Sequence, residues 1–357
     1  MKISVVLGTR PEIIKMYPVV RLCKKLGLNF FVLHTGQHYS YNMDRVFFEQ
    51  LGLAKPKYNL DVGSASHAKQ TGKMLIKIEQ VLKKEKPDWV LVQGDTNTVL
   101  VGALAAVKLG IKVGHVEAGL RSYDRAMPEE INRVLADHAS DYLFAPTDKS
   151  QKILLGEGIS KEKVFVTGNT VVDAVSQNLE LLKSNKEIFD DFCLAGEDYF
   201  LVTVHRQENV DNETRFRRIV EGLQSVKKEF GVKLVYPVHP RARKQIQAFG
   251  IQTDGIEIVD PVDYLSFLQL ESKARLVFTD SGGVQEESCI LKVPCVTLRD
   301  NTERPETLEV NSNILAGTRP NKILESAKTM LGKKTNWTNP FGDGNSAKRI
   351  LNYLNAC

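Results

Sequence analysis

The 357-residue chain carries five cysteines, at positions 23, 193, 289, 295 and 357, an odd number with no Cys-x-x-Cys spacing. That pattern argues against a disulfide framework and a thiolate zinc site, and the cysteines read as small reduced core residues. Long apolar runs are missing too. The longest mostly apolar stretch, TVLVGALAAV at 98–107, is about half of what a bilayer crossing needs. The N-terminal ISVVL is too short for a signal-peptide core and meets Gly8-Thr9-Arg10 at once, so the expected location is cytoplasmic. No Gly-x-Gly-x-x-Gly follows an apolar run and no Gly-x-x-x-x-Gly-Lys-[Ser/Thr] occurs, which removes dinucleotide and P-loop readings. None of the ten tyrosines has a lysine four residues later, so the Tyr/Lys pair of short-chain dehydrogenases is absent. The seven histidines are not paired at metal-ligand spacings. The net charge of +5 is spread over interspersed Lys and Glu, without a basic stripe interleaved with aromatics, so nucleic acid is not the expected partner. What remains is chemistry by carboxylates and histidine, with no metal or redox cofactor expected.

What is present is an average globular balance, 42% hydrophobic and 25% charged, in a chain long enough for two domains. Short β-rich runs alternate with amphipathic stretches throughout. The first half holds ISVVL (3–7), FFVLHT (30–35), WVLVQ (89–93), KVGHVE (112–117), YLFAP (142–146) and KVFVT (163–167). The second half holds YFLVTVH (199–205), KLVYPVH (233–239), IEIVD (256–260), ARLVFT (274–279) and VPCVTL (293–298). Alternation of this kind predicts parallel sheets covered on both faces, hence two doubly wound α/β domains. The polar stretch 176–198 marks the boundary, giving domains at 1–175 and 176–340. The last segment, 341–357, has helical spacing with Ile350, Leu351 and Leu354 on its apolar side and is expected to pack back on the N-terminal domain.

In open parallel sheets, ligands sit beyond the carboxyl ends of the strands. The first run ends in Gly8-Thr9-Arg10-Pro11-Glu12, with capping-box spacing from Thr9 to Glu12 and a proline suited to a first helical turn. Such a helix start attracts anions, and Arg10 and Lys15 would strengthen it. WVLVQ ends in Gly94-Asp95-Thr96-Asn97, and KVGHV in Glu117, an unusual residue for a cap. MPEEINR then supplies Glu129, Glu130 and Arg133. In the second half the strand ends deliver His205-Arg206-Gln207-Glu208, His239-Pro240 and Asp280-Ser281-Gly282-Gly283, the last opening a helix with Glu286 and Glu287 on its first turns. Two glycines and a serine at a helix start let backbone amides approach a phosphate. Recurrence of these features in both halves points to a cleft between two domains that holds a diphosphate.

The motifs GTRPEIIKM, TGQHYSYNM, VQGDTNT, HVEAGLRS, MPEEINR, VTGNTVVD, TVHRQEN, SGGVQEE and LRDNTERPE follow in this order over almost the whole chain. They resemble the non-hydrolysing UDP-N-acetylglucosamine 2-epimerases, which interconvert UDP-GlcNAc and UDP-ManNAc for polysaccharide biosynthesis. The resemblance implies two Rossmann-like domains in a glycosyltransferase-B-like architecture and a homodimer. It implies elimination of UDP to 2-acetamidoglucal followed by re-addition. By motif position, Asp95, Glu117, Glu129 and His205 correspond to the catalytic group. Arg10, Lys15, His239, Ser281, Gly282 and Gly283 correspond to the nucleotide and phosphate clamp. Glu287 matches the acid on the ribose hydroxyls, Phe267 a neighbour of the uracil and Arg304 a further polar contact. Many bacterial members bind a second UDP-GlcNAc as activator near the Gln37-His38 motif, but the following Tyr39-Ser40-Tyr41 departs from those forms. The rival readings are the hydrolysing 2-epimerases, normally fused to a kinase domain for which this chain has no room, and a glycosyltransferase-B-type sugar transferase.

Overall fold

The computed structural model of the chain describes residues 1–37, 48–182 and 187–355. The chain divides into two compact units, Met1–Gln177 with Phe341–Cys357, and Asn178–Pro340. Each is built on one wholly parallel sheet. Strands buried on both faces need apolar side chains on both sides, which is why these segments read as continuous rather than alternating hydrophobic runs.

The first unit holds strands β1 (Lys2–Leu7), β2 (Asn29–His34), β3 (Tyr58–Asn59), β4 (Trp89–Gln93), β5 (Lys112–Val116), β6 (Tyr142–Ala145) and β7 (Val164–Val166). They are arranged in the order β3-β2-β1-β4-β5-β6-β7. Its helices are α1 (Arg10–Lys25), α2 (His67–Glu85), α3 (Asn97–Lys108), α4 (Pro128–Ala139), α5 (Asp148–Gly156) and α6 (Thr170–Leu182), the last running across the division between units. Val6, Leu33, Val90, Val92 and Val113 from the sheet pack with Met74, Ile78, Val99 and Ala103 from α2 and α3.

In the second unit come α7 (Glu187–Asp191), β8 (Tyr199–Thr203), α8 (Gln207–Val210), α9 (Glu213–Phe230), β9 (Lys233–Pro237), α10 (Pro240–Ala248), β10 (Ile256–Val259) and α11 (Tyr264–Lys273). They are followed by β11 (Leu276–Thr279), α12 (Gly282–Leu291), β12 (Cys295–Thr297), α13 (Pro305–Glu309), β13 (Asn313–Leu315) and α14 (Pro320–Leu331). Strand order is β10-β9-β8-β11-β12-β13. The last helix, α15 (Ser346–Asn355), belongs to the first unit, lies against α1 and buries Ile350, Leu351 and Leu354.

Both sheets therefore follow one doubly wound plan. The chain reverses its direction of travel across the sheet between β1 and β4, and again between β8 and β11. Crevices open at such points because the flanking connections leave on opposite faces. The eleven strands expected from the sequence are present, and β3 and β13 are additional. Cys23, Cys289 and Cys295 are buried as expected, whereas Cys193 is exposed, because it occupies a left-handed turn (φ 49°) rather than a packed element. Among the described residues, no helix is long and apolar enough to cross a membrane.

Candidate active site

At the switch point of the first sheet, the turns after β1 and β4 are joined by Glu12, on the first turn of α1. Gly8 N–H donates to its Oε2 at 2.5 Å and Thr9 N–H at 3.2 Å. The Thr96 hydroxyl, from the turn after β4, donates to its Oε1 at 2.5 Å. Burial raises this carboxyl to about 7 against the pull of those three donors, and the nearby Asp95 charge adds to the rise. Two amides of the GTRPE turn are therefore engaged by the chain itself. Arg10 is half-buried at the same helix start.

Lys15, one turn along α1, reaches Glu117 at the end of β5, with Nζ 2.5 Å from Oε2. Gln93 Nε2, at the end of β4, donates to the same oxygen at 3.0 Å. Glu117 is buried and its backbone is left-handed, φ 69°. A bulky non-glycine residue there stores strain, and such strain collects at functional sites. Asp95 is half-buried; its carboxylate pairs with Arg133, and its carbonyl accepts from Asn132 Nδ2 at 3.0 Å. The structure thus brings Lys15, Asp95 and Glu117 to neighbouring strand ends. Glu129 stands apart from these bonds, exposed on the first turn of α4. Its neighbour Glu130 is the buried one, accepting from Ser122 N–H and hydroxyl, both at 2.9 Å, and from Arg133 at 2.7 Å. Burial alone would raise Glu130, yet the Ser122 donors and Arg133 hold it below the usual value.

At the second sheet's switch point the central group is Asp280, wholly buried after β11. It accepts from the backbone N–H groups of His205 at 3.1 Å and Arg206 at 3.0 Å, and from Asn209 Nδ2 at 3.1 Å. His205, after β8, keeps its Nδ1 3.3 Å from Asp280 Oδ1 and its side chain 40% exposed, so the carboxylate orients a ring open to a ligand. His239 caps α10, its Nδ1 accepting from Arg241 N–H at 3.2 Å, and its ring centre lies 6.0 Å from that of His205. Ser281 occupies the N-cap position of α12, with Gly282 and Gly283 as the first helical residues. Further along that helix the buried Glu287 accepts from the Tyr264 hydroxyl at 3.0 Å, and Glu286 pairs with buried Arg304 at 2.5 Å. Phe267 is half-buried on α11, packed against the apolar cluster of Val259, Leu270 and Val284.

A family model described as UDP-N-acetylglucosamine 2-epimerase matches residues 21–355. The chain belongs to that family. The Methanocaldococcus jannaschii UDP-N-acetylglucosamine 2-epimerase is 56% identical over 361 residues, 99% of each chain. A crystal structure of that species' UDP-GlcNAc 2-epimerase, in complex with UDP-GlcNAc and UDP, superposes with a TM-score of 0.93 at 56% identity and covers all of both chains (100% each). At 41% identity over 356 residues, 99% of each chain, stands the UDP-2,3-diacetamido-2,3-dideoxy-D-glucuronate 2-epimerase of Pseudomonas aeruginosa. The family's structures share the two-sheet, glycosyltransferase-B-like architecture described above.

Several groups at these switch points escape a reading of this family member from sequence alone. His115, in the middle of β5, has Nδ1 2.7 Å from Asp137 Oδ1 and Nε2 2.8 Å from the Gly94 carbonyl. Both partners are acceptors, an arrangement that favours the protonated ring. Burial opposes that charge, but Asp137 and the Gly94 carbonyl raise the imidazole overall. Arg121 closes the network on Asp137 at 2.7 Å, fixing the turn on which Glu117 sits. A histidine inside an otherwise apolar strand was the available signal. Glu271, on α11, is wholly buried, accepts from Ser288 at 2.7 Å and is raised well above its ordinary value by burial and by the Glu287 charge. Nothing in its local sequence announces this. Residues 38–47, which carry His38, Tyr39, Ser40 and Tyr41, lie outside the described residues. Among the described residues, no cluster of three His, Cys, Asp or Glu side chains could hold a metal ion.

Proposed function

We propose that the chain interconverts UDP-N-acetylglucosamine and UDP-N-acetylmannosamine without net hydrolysis. The C2 proton of the sugar has no adjacent carbonyl to acidify it, so direct deprotonation is very unfavourable. In the route proposed, a general base takes the C2 proton, the C2–H electrons form a C1–C2 double bond, and the C1–O bond breaks. UDP departs as the anion and leaves 2-acetamidoglucal. The return step bonds the UDP oxygen to C1 and delivers a proton to the opposite face of C2. Atoms and charge balance without any co-reactant.

The acid/base group in this reading is Asp95, Glu117, Glu129 and His205. Arg10, Lys15, His239, Ser281, Gly282 and Gly283 bind the diphosphate, Glu287 the ribose hydroxyls, Phe267 the uracil, and Arg304 supports Glu286 beside them. The observation that carries the reading is the pair on the strand ends beside the first switch point. Asp95 and Glu117 stand at the ends of adjacent strands, each ion-paired with its own cation, and one of them is on a strained backbone. Strain of this kind collects at active sites and ligand clamps, and here it falls on the buried carboxylate that meets Lys15 and Gln93.

The test is proton NMR of purified protein with UDP-GlcNAc in D₂O. UDP-ManNAc carrying deuterium at C2, with little free UDP, is the expected result. Free UDP in step with free ManNAc would replace this reading by the hydrolysing one. The Pseudomonas relative's name specifies another UDP-2-acetamido sugar, so the same experiment with that sugar checks substrate choice, and slower turnover is expected.

A further inference from the structure

Glu12 has no part in the chemistry above, yet it straddles the topological switch point. Its Oε2 receives Gly8 and Thr9 N–H from the turn after β1, and its Oε1 receives the Thr96 hydroxyl from the turn after β4. Thr96 is both the N-cap of α3 and the immediate neighbour of Asp95. On its other side the Asp95 turn is held from α4, by Asn132 on the carbonyl and Arg133 on the carboxylate. One buried carboxyl is thus the hydrogen-bonded link from the helix carrying Lys15 to the turn carrying Asp95.

We propose that Glu12 is a positioning residue for the epimerisation: through Thr96 it sets the Asp95 carboxylate in register with the Lys15–Glu117 pair. The inference rests on the functional reading above. An ordinary capping-box glutamate would bond only to the start of its own helix. Glu12 spends one oxygen on that and the other on a residue 84 positions away in sequence. Its 2% exposure keeps the carboxyl out of bulk water, and its rise to about 7 keeps a proton available to share with Thr96 near neutrality. Either protonation state satisfies the link, because the Thr96 hydroxyl both donates and accepts.

The conservative set is Thr96→Val, which removes the hydroxyl at nearly constant volume, Thr96→Ser, which restores it, and Glu12→Gln, which keeps an acceptor for Gly8 and Thr9 and a donor for Thr96. For each, kcat and KM for UDP-GlcNAc are measured, together with hydrogen–deuterium exchange of the peptide spanning the Asp95 turn. Misplacing a reacting group by about 1 Å costs about 100-fold. Thr96→Val is therefore expected to lower kcat by about 10- to 100-fold with KM within about threefold, and to speed exchange at the turn. Thr96→Ser and Glu12→Gln are expected to stay near wild type in both readouts. Unchanged exchange in Thr96→Val would overturn the link, as would faster exchange with an undiminished kcat. A rise in KM alone would overturn the assignment to Asp95. Wild-type protein that leaves UDP-GlcNAc unchanged would sink the functional reading instead, while exchange still decides whether the link exists.

Discussion

At Gly8, after β1, an added Cβ would stand 2.0 Å from Thr98 Oγ1 and 2.5 Å from Thr35 Oγ1. At Gly282, after β11, it would meet only Glu303 Oε2 at 3.8 Å and Arg206 at 4.0 Å, and at Gly283 only Ser281 Oγ at 3.8 Å. The two turns look alike in sequence, a glycine between a strand and a helix, but they do different work. In the first unit the glycine lets the chain approach itself, and the freed amides are taken up by Glu12. In the second unit the glycines keep space open at the start of α12, which is where a phosphate would come close. The charged groups divide in the same way. In the first unit Glu117 and Asp95 are held in close ion pairs with Lys15 and Arg133, while in the second His205 is oriented on a buried aspartate and left partly exposed. Under the function proposed above, proton transfer falls mainly to the first unit and retention of UDP mainly to the second.

The sharpest way to break that contrast is Glu117→Gln. General acid/base groups contribute about 10²- to 10⁴-fold, so kcat should fall by about that much while the UDP dissociation constant, read by calorimetry, stays within about twofold. A smaller effect would place the chemistry elsewhere.

Next in size is the pH dependence of stability from Glu12. Its carboxyl is raised from 4.5 to about 7 in the folded chain. Between those values the folded state keeps a proton that the unfolded state has released, so stability falls as pH rises through the window and is level above it. The span corresponds to about 3 kcal/mol. Thermal or urea unfolding from pH 4.5 to 8 should show that slope in the wild type and lose this component in Glu12→Gln, which cannot ionise.

The glycines themselves come next. Gly8→Ala forces its methyl group into the Thr35 and Thr98 hydroxyls and should cost about 1–3 kcal/mol in urea unfolding. Gly282→Ala meets no such obstacle and should leave stability within about 0.5 kcal/mol while weakening UDP binding about tenfold, or about 1.4 kcal/mol. The reverse pattern would erase the distinction drawn between the two turns.

Much of this was legible in the sequence, and for identifiable reasons. WVLVQ is β4 residue for residue, because a strand buried on both faces reads as a continuous apolar run, here Trp89 to Val92 with the polar Gln93 at its end. HAKQTGKMLIKIEQVLKKE is likewise α2, since its apolar positions repeat along one side of a helix. The additional strands, Tyr58–Asn59 and Asn313–Leu315, lie at the edges of their sheets and are too short to display any period. Strand-end placement singled out Asp95 and Glu117, and their mutual arrangement with Lys15 and Arg133 follows from the winding order. In MPEEINR, adjacency in sequence does not tell which glutamate faces inward, and the structure turns Glu130 inward and Glu129 to solvent. Glu12 could be read as a cap from spacing alone, but its bond to Thr96 depends on β1 and β4 being neighbours. The Glu271 carboxyl was invisible for the same reason, because only the packing of α11 against α12 buries it beside Ser288.

The division of labour is tested most directly by calorimetry of UDP with the double variant Asp95→Asn/Glu117→Gln, alongside its turnover of UDP-GlcNAc. A UDP dissociation constant within about threefold of wild type and no detectable UDP-ManNAc are expected, because removing acid/base groups withdraws interactions made only in the transition state. Loss of UDP binding by about tenfold or more, in a variant with an unchanged melting temperature, would contradict it and make these acids part of the nucleotide site.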